Sequence, residues 1–514
     1  MRRRVLVVGW DGADWEIVDD LLARGLLPNL EALIREGGRG TLLSTVPSHS
    51  WAAWSSFLTG SHPAGHGVWD FVQRDPTDAD RRIPVSSTSI RQATFLDRLS
   101  AAGLEVRAAN IPVTFPPWEV NGRMIGGVAI PRGAPFVTPS AFAEELGARA
   151  PFPINGLEWM HHRDAPESLV GDALRLVEQR SASFEILLEG RWDVAVCVFV
   201  APDRVQHAMG AYLLPTHPAH AGLRQTQVGE SLRSMYALLD EALARLHRAA
   251  GPDALTIVMS DHGFRPIAHL AGTGKMLEAL GFASSGSRAR LGRSLRRWAP
   301  TRALGKTRAG YRLKQRVRAP AALDWSRTAA YSAGSGGAIA INLEGREIHG
   351  TVDPGDYDRV RREVAGALLA FRDPQSGEAP VAQVTFREEL PAGPHLDLAP
   401  DLLARPAPGW GLGNIDHVTQ PSTWPSGDHR REGIIVCSDA AAADLGTPSI
   451  VDLAPTLLSL QGLRADDIDG RPIPAIAGTG GDLADAASPT PGDGLGRSEE
   501  DEIARHLRGL GYIE

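Results

Sequence analysis

Short apolar runs, rich in β-branched and aromatic residues, alternate along this chain with longer stretches whose apolar residues recur at helical spacing. Residues 5–8, 105–109, 194–200 and 255–260 read as strands, and stretches near 15–35, 51–58, 166–188 and 228–249 read as the helices around them. Runs that are apolar at every position suit strands buried on both faces, and strand–helix alternation is the rhythm of βαβ units. The pattern predicts an α/β fold: a doubly wound, mostly parallel sheet flanked by helices. Beyond residue 320 the rhythm changes. A strand at 338–343, a helix near 357–371 and a strand at 382–386 predict a smaller α+β subdomain spliced into the main one, and 433–437 reads as a late strand returning to the main sheet. A closing helix is expected over 452–460. A Gly-, Ala-, Asp- and Pro-rich linker follows from 476 to about 496, and then a terminal helix over 498–510 with Ser498 as N-cap and four acids in its first turn. The expected organisation is a core of 1–265 and 426–475, an inserted cap of 266–425, and a linker with C-terminal helix over 476–514.

The 514 residues suffice for one large α/β domain with insertions, and no uninterrupted apolar stretch is long enough to span a bilayer. The net charge of −8 argues against generic nucleic-acid binding. Between Ala283 and Pro320, however, stand ten arginines, two lysines and no acid, with Leu291, Leu295 and Trp298 at helical spacing. Such a basic segment could contact an anionic membrane peripherally or hang over a site and attract phosphate; a solvated surface insertion fits the same composition. Cys197 and Cys437 lie inside apolar runs and are expected to be buried free thiols. Met1-Arg-Arg-Arg runs straight into the first strand, so a signal peptide there would have to be cut out of the sheet, and a cytoplasmic protein is expected.

The chemistry gathers where the strands end. Asp11 closes the first run, Asp203 and His207 follow the run 194–200, and Asp261-His262 follows 255–260. Open α/β sheets bind ligands beyond the carboxyl ends of their strands, so these acids and imidazoles point to metal-ion catalysis on a phosphate-like group. Ser50 falls where a helix begins, a position that favours a bound phosphoryl group or an alkoxide, although an ordinary N-cap serine would sit there too. The D-x-x-x-H spacing of Asp203 and His207 places two side chains on one helical face or around one tight turn, and the pattern occurs by chance in many proteins. His429 lies in a turn-rich loop, where a surface histidine is equally at home.

Taken in order, these segments resemble the alkaline phosphatase superfamily, and within it the type I phosphodiesterase/nucleotide pyrophosphatase family. The resemblance rests on Gly9-Trp-Asp11-Gly12, Trp54-Ser-Ser-Phe-Leu-Thr59-Gly60 with Pro63 and His66-Gly67, and Asn110-Ile-Pro-Val-Thr-Phe-Pro-Pro117. It continues through Pro202-Asp203-Arg-Val-Gln-His207, Ser260-Asp261-His262-Gly263, Gly427-Asp-His429-Arg, Asp452-Leu-Ala-Pro-Thr456 and Asp469-Gly-Arg-Pro472. It implies two divalent metal ions, zinc or alternatively manganese. Asp203, His207 and His429 would hold one, and Asp11, Asp261 and His262 the other, which would also bind the nucleophile. It further implies that Ser50 attacks phosphorus to give a phosphoseryl intermediate that water then hydrolyses, and that Asn110 holds a phosphate oxygen of a small-molecule phosphate ester. One departure stands out. The family carries threonine in a T-x-P pattern, whereas counting back from Thr59-Gly60 lands on Ser50-Trp51-Ala52; Thr45-Val46-Pro47 has the pattern but lies five residues further back, so Thr45 is the second candidate. His49 reads as a structural neighbour.

The site is expected to hydrolyse phosphodiester or nucleotide pyrophosphate bonds. A phosphomonoesterase or a phosphoryl or headgroup transferase could use the same groups, and a non-catalytic module binding metal and anions is a further alternative. Sulfatase chemistry needs a C/S-x-P-x-R context that Ser50-Trp-Ala-Ala-Trp54 lacks, and no G-x-G-x-x-G follows the first strand to support dinucleotide binding.

Overall fold

The strands that organise the molecule are, in chain order, β1 Val5–Trp10, β2 Gly38–Leu43, β3 Val72–Asp75, β4 Asp78–Pro84, β5 Val106–Ala109, β6 Gly122–Ile125, β7 Val137–Thr138, β8 Val194–Phe199, β9 Leu255–Met259, β10 Gly263–Gly272, β11 Ala330–Ser332, β12 Ala338–Ile341, β13 Val381–Phe386, β14 Leu402–Pro406, β15 Gly409–Gly413, β16 Thr419–Pro421, β17 Gly427–Arg430 and β18 Glu432–Cys437. They come from a computed structural model that describes residues 3–154, 156–159, 162, 166–286, 323–422, 426–441, 443–477, 484–487 and 496–509. The basic segment expected from Ala283 lies outside the described residues from 287 onward.

The main sheet has eight strands in the order β2-β18-β9-β1-β8-β5-β6-β7. Its centre, from β9 to β6, is parallel, while β18 runs antiparallel to β9 and to β2, and β7 antiparallel to β6. Every residue of β1, β8 and β9 is buried because side chains alternate between two apolar layers. Leu6, Val8 and Trp10 pack with the helices Pro166–Leu187 and Gln227–Ala250, whereas Val5 and Val7 pack with the helices Ser50–Thr59 and Leu453–Leu460. The mixed α/β class with a mostly parallel sheet is thus the one the hydrophobic pattern predicts.

Two expectations need correction. The single helix expected near 15–35 is two, Trp15–Ala23 and Pro28–Glu36, because Gly25 adopts φ +68° and Pro28 opens the second helix. The sequence pattern also predicts no strand directly after His262, yet β10 starts at the next residue. Arg265, Pro266 and His269 mask any apolar alternation there, and pairing with β15, β16 and β17 supplies the stability.

The inserted region builds an antiparallel sheet in the order β11-β12-β14-β13, and the helix Tyr357–Ala370 covers it through Val364 and Leu368 against Ile339 and Ile341. The C-terminal helix Arg497–Gly509 returns to the core by burying Ile503 and Leu507, while Arg81 of the β3–β4 hairpin pairs with Glu500. Both cysteines are buried and free. No helix among the described residues is long and apolar enough to cross a membrane.

Candidate active site

Parallel pairing brings the carboxyl ends of β1, β8 and β9 side by side, and each chain turns off the sheet within a few residues of its last pair. After β1, Gly12 takes φ +71°; a Cβ there would lie 2.7 Å from the Phe264 ring, so only glycine lets Asp11 stop at the rim. After β8, the helix Ala201–Leu213 begins almost at once with Pro202 in its first turn, which sets Asp203 and His207 one turn apart on one face. Asp261 and His262 form the link between β9 and β10, and His429 stands on β17 directly opposite Phe264 of β10. Ser50 is the first residue of a helix in which all ten side chains are buried.

These side chains converge. The Oγ of Ser50 is 3.2 Å from Nε2 of His262 and 3.5 Å from Oδ1 of Asp11. Oδ1 of Asp203 lies 3.3 Å from Nε2 of His207, 3.2 Å from Nε2 of His429 and 3.9 Å from Nε2 of His262. Nε2 of His207 and Nε2 of His429 are only 2.9 Å apart. Asp203 therefore belongs to two groups able to hold a cation, one with His207 and His429 and the other with Asp11 and His262, each with ligand atoms within 4.8 Å of one another. Asp261 stands slightly back. Its Oδ1 accepts the Gly12 N–H at 3.2 Å, and its Oδ2 is buried without a hydrogen bond, 3.3 Å from Nε2 of His262.

The electrostatics fit a cation. Burial first, and then Asp261 and Asp203, push the Asp11 carboxyl well above its usual range; burial and Asp203 push Asp261 up to about 7. Burial pulls His262 down to about 4, and burial with neighbouring His262 does the same to His429. Burial alone would raise Asp203 too, but His207, the hydrogen bond from His429 and the Arg204 charge outweigh it and hold this carboxyl well below its usual range. Three buried carboxylates, an unsatisfied carboxylate oxygen and facing imidazole nitrogens are costly together unless positive charge enters between them. Mixed oxygen and nitrogen donors are the set that divalent Zn²⁺ or Mn²⁺ takes.

The remaining sequence candidates fall nearby with other engagements. The Thr45 hydroxyl donates to the Pro47 carbonyl at 2.6 Å, closing its own turn. Asn110, at the end of β5 with φ 58°, donates from Nδ2 to the Val198 carbonyl at 2.7 Å and so braces two strand ends. His49 donates from Nε2 to the Trp69 carbonyl at 2.9 Å and stacks on Phe71. Three further residues have roles that the sequence does not assign, although Trp54 and Gln206 stand inside its motifs. Trp54 Nε1 donates to Oδ2 of Asp11 at 3.0 Å, and its spacing of four from Ser50 was the available signal. Gln206 Nε2 donates to the Gly12 carbonyl at 2.8 Å. Asp14 accepts the Phe264 N–H and a two-pronged contact from Arg430, tying β1 to β10 and β17; the local sequence marks it only as the N-cap of the helix Trp15–Ala23, where it accepts the Glu16 N–H at 2.8 Å.

A family model described as type I phosphodiesterase / nucleotide pyrophosphatase matches residues 5–430. A search of curated proteins finds no match. Among solved structures, phosphonoacetate hydrolase from Sinorhizobium meliloti 1021, in complex with phosphonoformate, is similar with a TM-score of 0.57 and 18% identity, over 88% of this chain and 94% of that one. Human ectonucleotide pyrophosphatase / phosphodiesterase 5 is similar with a TM-score of 0.50 and 13% identity, over 91% of this chain and 97% of that one. At these identities the likeness concerns the fold.

Proposed function

This chain belongs to the type I phosphodiesterase / nucleotide pyrophosphatase family, and on that premise we propose that it cleaves phosphodiester or nucleotide pyrophosphate bonds through a covalent phosphoseryl intermediate on Ser50. The observation that carries the assignment is the Ser50 hydroxyl, 3.2 Å from His262 Nε2 and 3.5 Å from Asp11 Oδ1, while Thr45 is engaged with its own turn. Asp203, His207 and His429 would hold one divalent ion, zinc or manganese, and Asp11, Asp261, His262 and Ser50 the other. Bound there, the two ions would supply Lewis-acid charge that favours the serine alkoxide and neutralises the developing negative charge of the leaving oxygen.

The chain's own groups do the rest. The Ser50 oxygen bonds to phosphorus as the phosphorus–oxygen bond to the leaving group breaks; water then attacks the phosphoserine and restores the hydroxyl. The first N–H groups of the helix Ser50–Thr59 have no acceptor within the helix and favour a phosphoryl oxygen at this end. Trp54 orients Asp11 from behind. One Asn110 Nδ2 hydrogen goes to the Val198 carbonyl, and the other would bond a phosphate oxygen.

The test is hydrolysis of bis-p-nitrophenyl phosphate beside p-nitrophenyl phosphate by protein loaded with Zn²⁺ or Mn²⁺, with Ser50→Ala as control. A Ser50-dependent diester preference supports the proposal. A monoester preference reassigns the site to a phosphatase, and full activity of Ser50→Ala removes the nucleophile.

A further inference from the structure

The stretch just beyond the Ser50 helix is where the inserted region docks on the core. Trp69 Nε1 donates to the His395 carbonyl at 3.2 Å, and the His395 N–H donates to the Ala64 carbonyl at 2.8 Å. Ala64 and Trp69 share a small apolar cluster with Leu390 and Ala399. Asp70 adds the polar part of this contact. Its carboxylate accepts the Ser335 N–H at 2.7 Å, the Ser335 hydroxyl at 2.8 Å and the Phe71 N–H at 2.6 Å.

The same stretch also reaches the nucleophile. The Trp69 carbonyl holds the imidazole of His49, which immediately precedes Ser50. A short path of bonded neighbours, Ser335 to Asp70 to Trp69 to His49, thus joins the inserted region to Ser50.

The loop on the other side is built for this contact. Residues 332–337 read Ser-Ala-Gly-Ser-Gly-Gly. A Cβ at Gly334 would lie 2.2 Å from Asp70 Oδ2, and one at Gly337 would lie 2.0 Å from the Ala404 carbonyl, so both close approaches require glycine. The loop is fixed from behind as well: Thr273 Oγ1 donates to the Gly336 carbonyl at 2.8 Å and Asn414 Nδ2 to the Gly334 carbonyl at 3.1 Å. Main chain held on several sides in this way is fixed in place, and Asp70 joins it to the Ser50 segment.

We infer that Asp70 is a positioning residue that latches the 332–337 loop against the Ser50 segment, and that this latch sets which phosphate esters fit by fixing the room for the ester group remote from the reacting phosphorus. The inference rests on the phosphoesterase reading of the site. A displaced loop would then admit a bulky second ester group more easily and hold a small one less well, so selectivity should change in KM more than in kcat.

The experiment uses the full-length, metal-loaded protein and compares methyl p-nitrophenyl phosphate with bis-p-nitrophenyl phosphate for wild type, Asp70→Ala, Asp70→Asn and Gly334→Ala. Loss of hydrogen bonds to a carboxylate predicts that Asp70→Ala and Gly334→Ala shift the kcat/KM ratio of the two esters by about tenfold, mainly through KM, with metal content unchanged. Asp70→Asn, which keeps one acceptor oxygen, should recover part of that shift. An unchanged ratio, or an equal loss on both esters, overturns the inference. If wild type hydrolyses neither ester, the phosphoesterase reading falls, and hydrogen exchange still decides the latch. Faster exchange of the Ser335 amide in Asp70→Ala supports it; unchanged exchange removes it.

Discussion

Ser50 and His262 stand 212 positions apart in the chain, yet the serine Oγ lies 3.2 Å from the imidazole Nε2. The Nδ1 of His262 is 3.2 Å from the Gly263 carbonyl, which can only accept, so Nδ1 carries the hydrogen and Nε2 presents its lone pair to the serine. This contact separates Ser50 from Thr45, and its consequences can be measured.

Replacing Ser50 by alanine should leave folding and metal uptake intact and lower kcat by roughly a thousandfold or more, the scale at which nucleophiles fail when removed. Thr45→Ala should instead lose about 1 kcal/mol of stability from its turn bond and keep turnover within a few-fold. Pre-steady-state kinetics and urea unfolding of both variants check this pair; the opposite pattern would move the nucleophile to Thr45.

Metal binding should stabilise the protein, because cations relieve carboxylates that the fold buries together. Zinc at a hundred times its dissociation constant should add about 2.7 kcal/mol. Chelation should reverse the shift in melting temperature. His207→Ala and Asp261→Asn should lose metal and activity together while the metal-free melting temperature stays near that of wild type.

Trp54→Phe keeps an aromatic ring against Gly9 and removes the hydrogen bond to Asp11 Oδ2. Loss of a partner behind a metal ligand typically costs 10- to 100-fold in affinity, by the usual order of magnitude. Isothermal titration with Zn²⁺ would register the loss; unchanged affinity would leave Trp54 as packing only.

His66 supplies a pH dependence away from the candidate metal ligands. Its Nδ1 accepts the Val68 N–H at 3.1 Å, its Nε2 meets the Ser56 hydroxyl at 2.9 Å, and burial lowers it from 6.5 to about 3. The unfolded chain therefore takes up this proton first. The contribution of His66 to stability is complete above pH 6.5 and falls as the pH drops toward 3, by on the order of 1 kcal/mol per pH unit. Asp261, raised to about 7, acts in the opposite direction over the upper part of that range, so the difference between wild type and His66→Gln isolates the effect. Urea midpoints of the metal-free proteins at pH 7.5, 5.5 and 4.5 should show His66→Gln gaining on wild type as the pH falls; parallel curves would contradict it.

Much of the site was legible because local rules placed it. Asp11, Asp203 and Asp261 each follow a short apolar run rich in β-branched residues, the pattern of a strand buried on both faces, so the acids were placed at one edge of a parallel sheet. Asp14 and Trp54 were not legible in the same way, because each acquires its role from a partner far along the chain, Arg430 in one case and Asp11 in the other. Strand β10 was missed for a related reason: its own residues have little strand character, and its neighbours β15 and β17 supply what it lacks.

The sequence by itself determined the central strands β1, β5, β8 and β9 and most of the helices around them, which follow from backbone periodicity and from solvent exclusion over a few residues. It also set the carboxylate and imidazole types at the strand ends, and its motifs carried the resemblance to the family. Only the tertiary structure decided that Ser50 rather than Thr45 meets His262, that Asp203 faces two groups at once, and that Asp70 joins the 332–337 loop to the Ser50 segment. Those relations depend on register, such as Val8 opposite both Cys197 and Val258, and Phe264 opposite His429. Register is a property of paired segments, so distances between residues hundreds of positions apart take their values only once the sheet has closed.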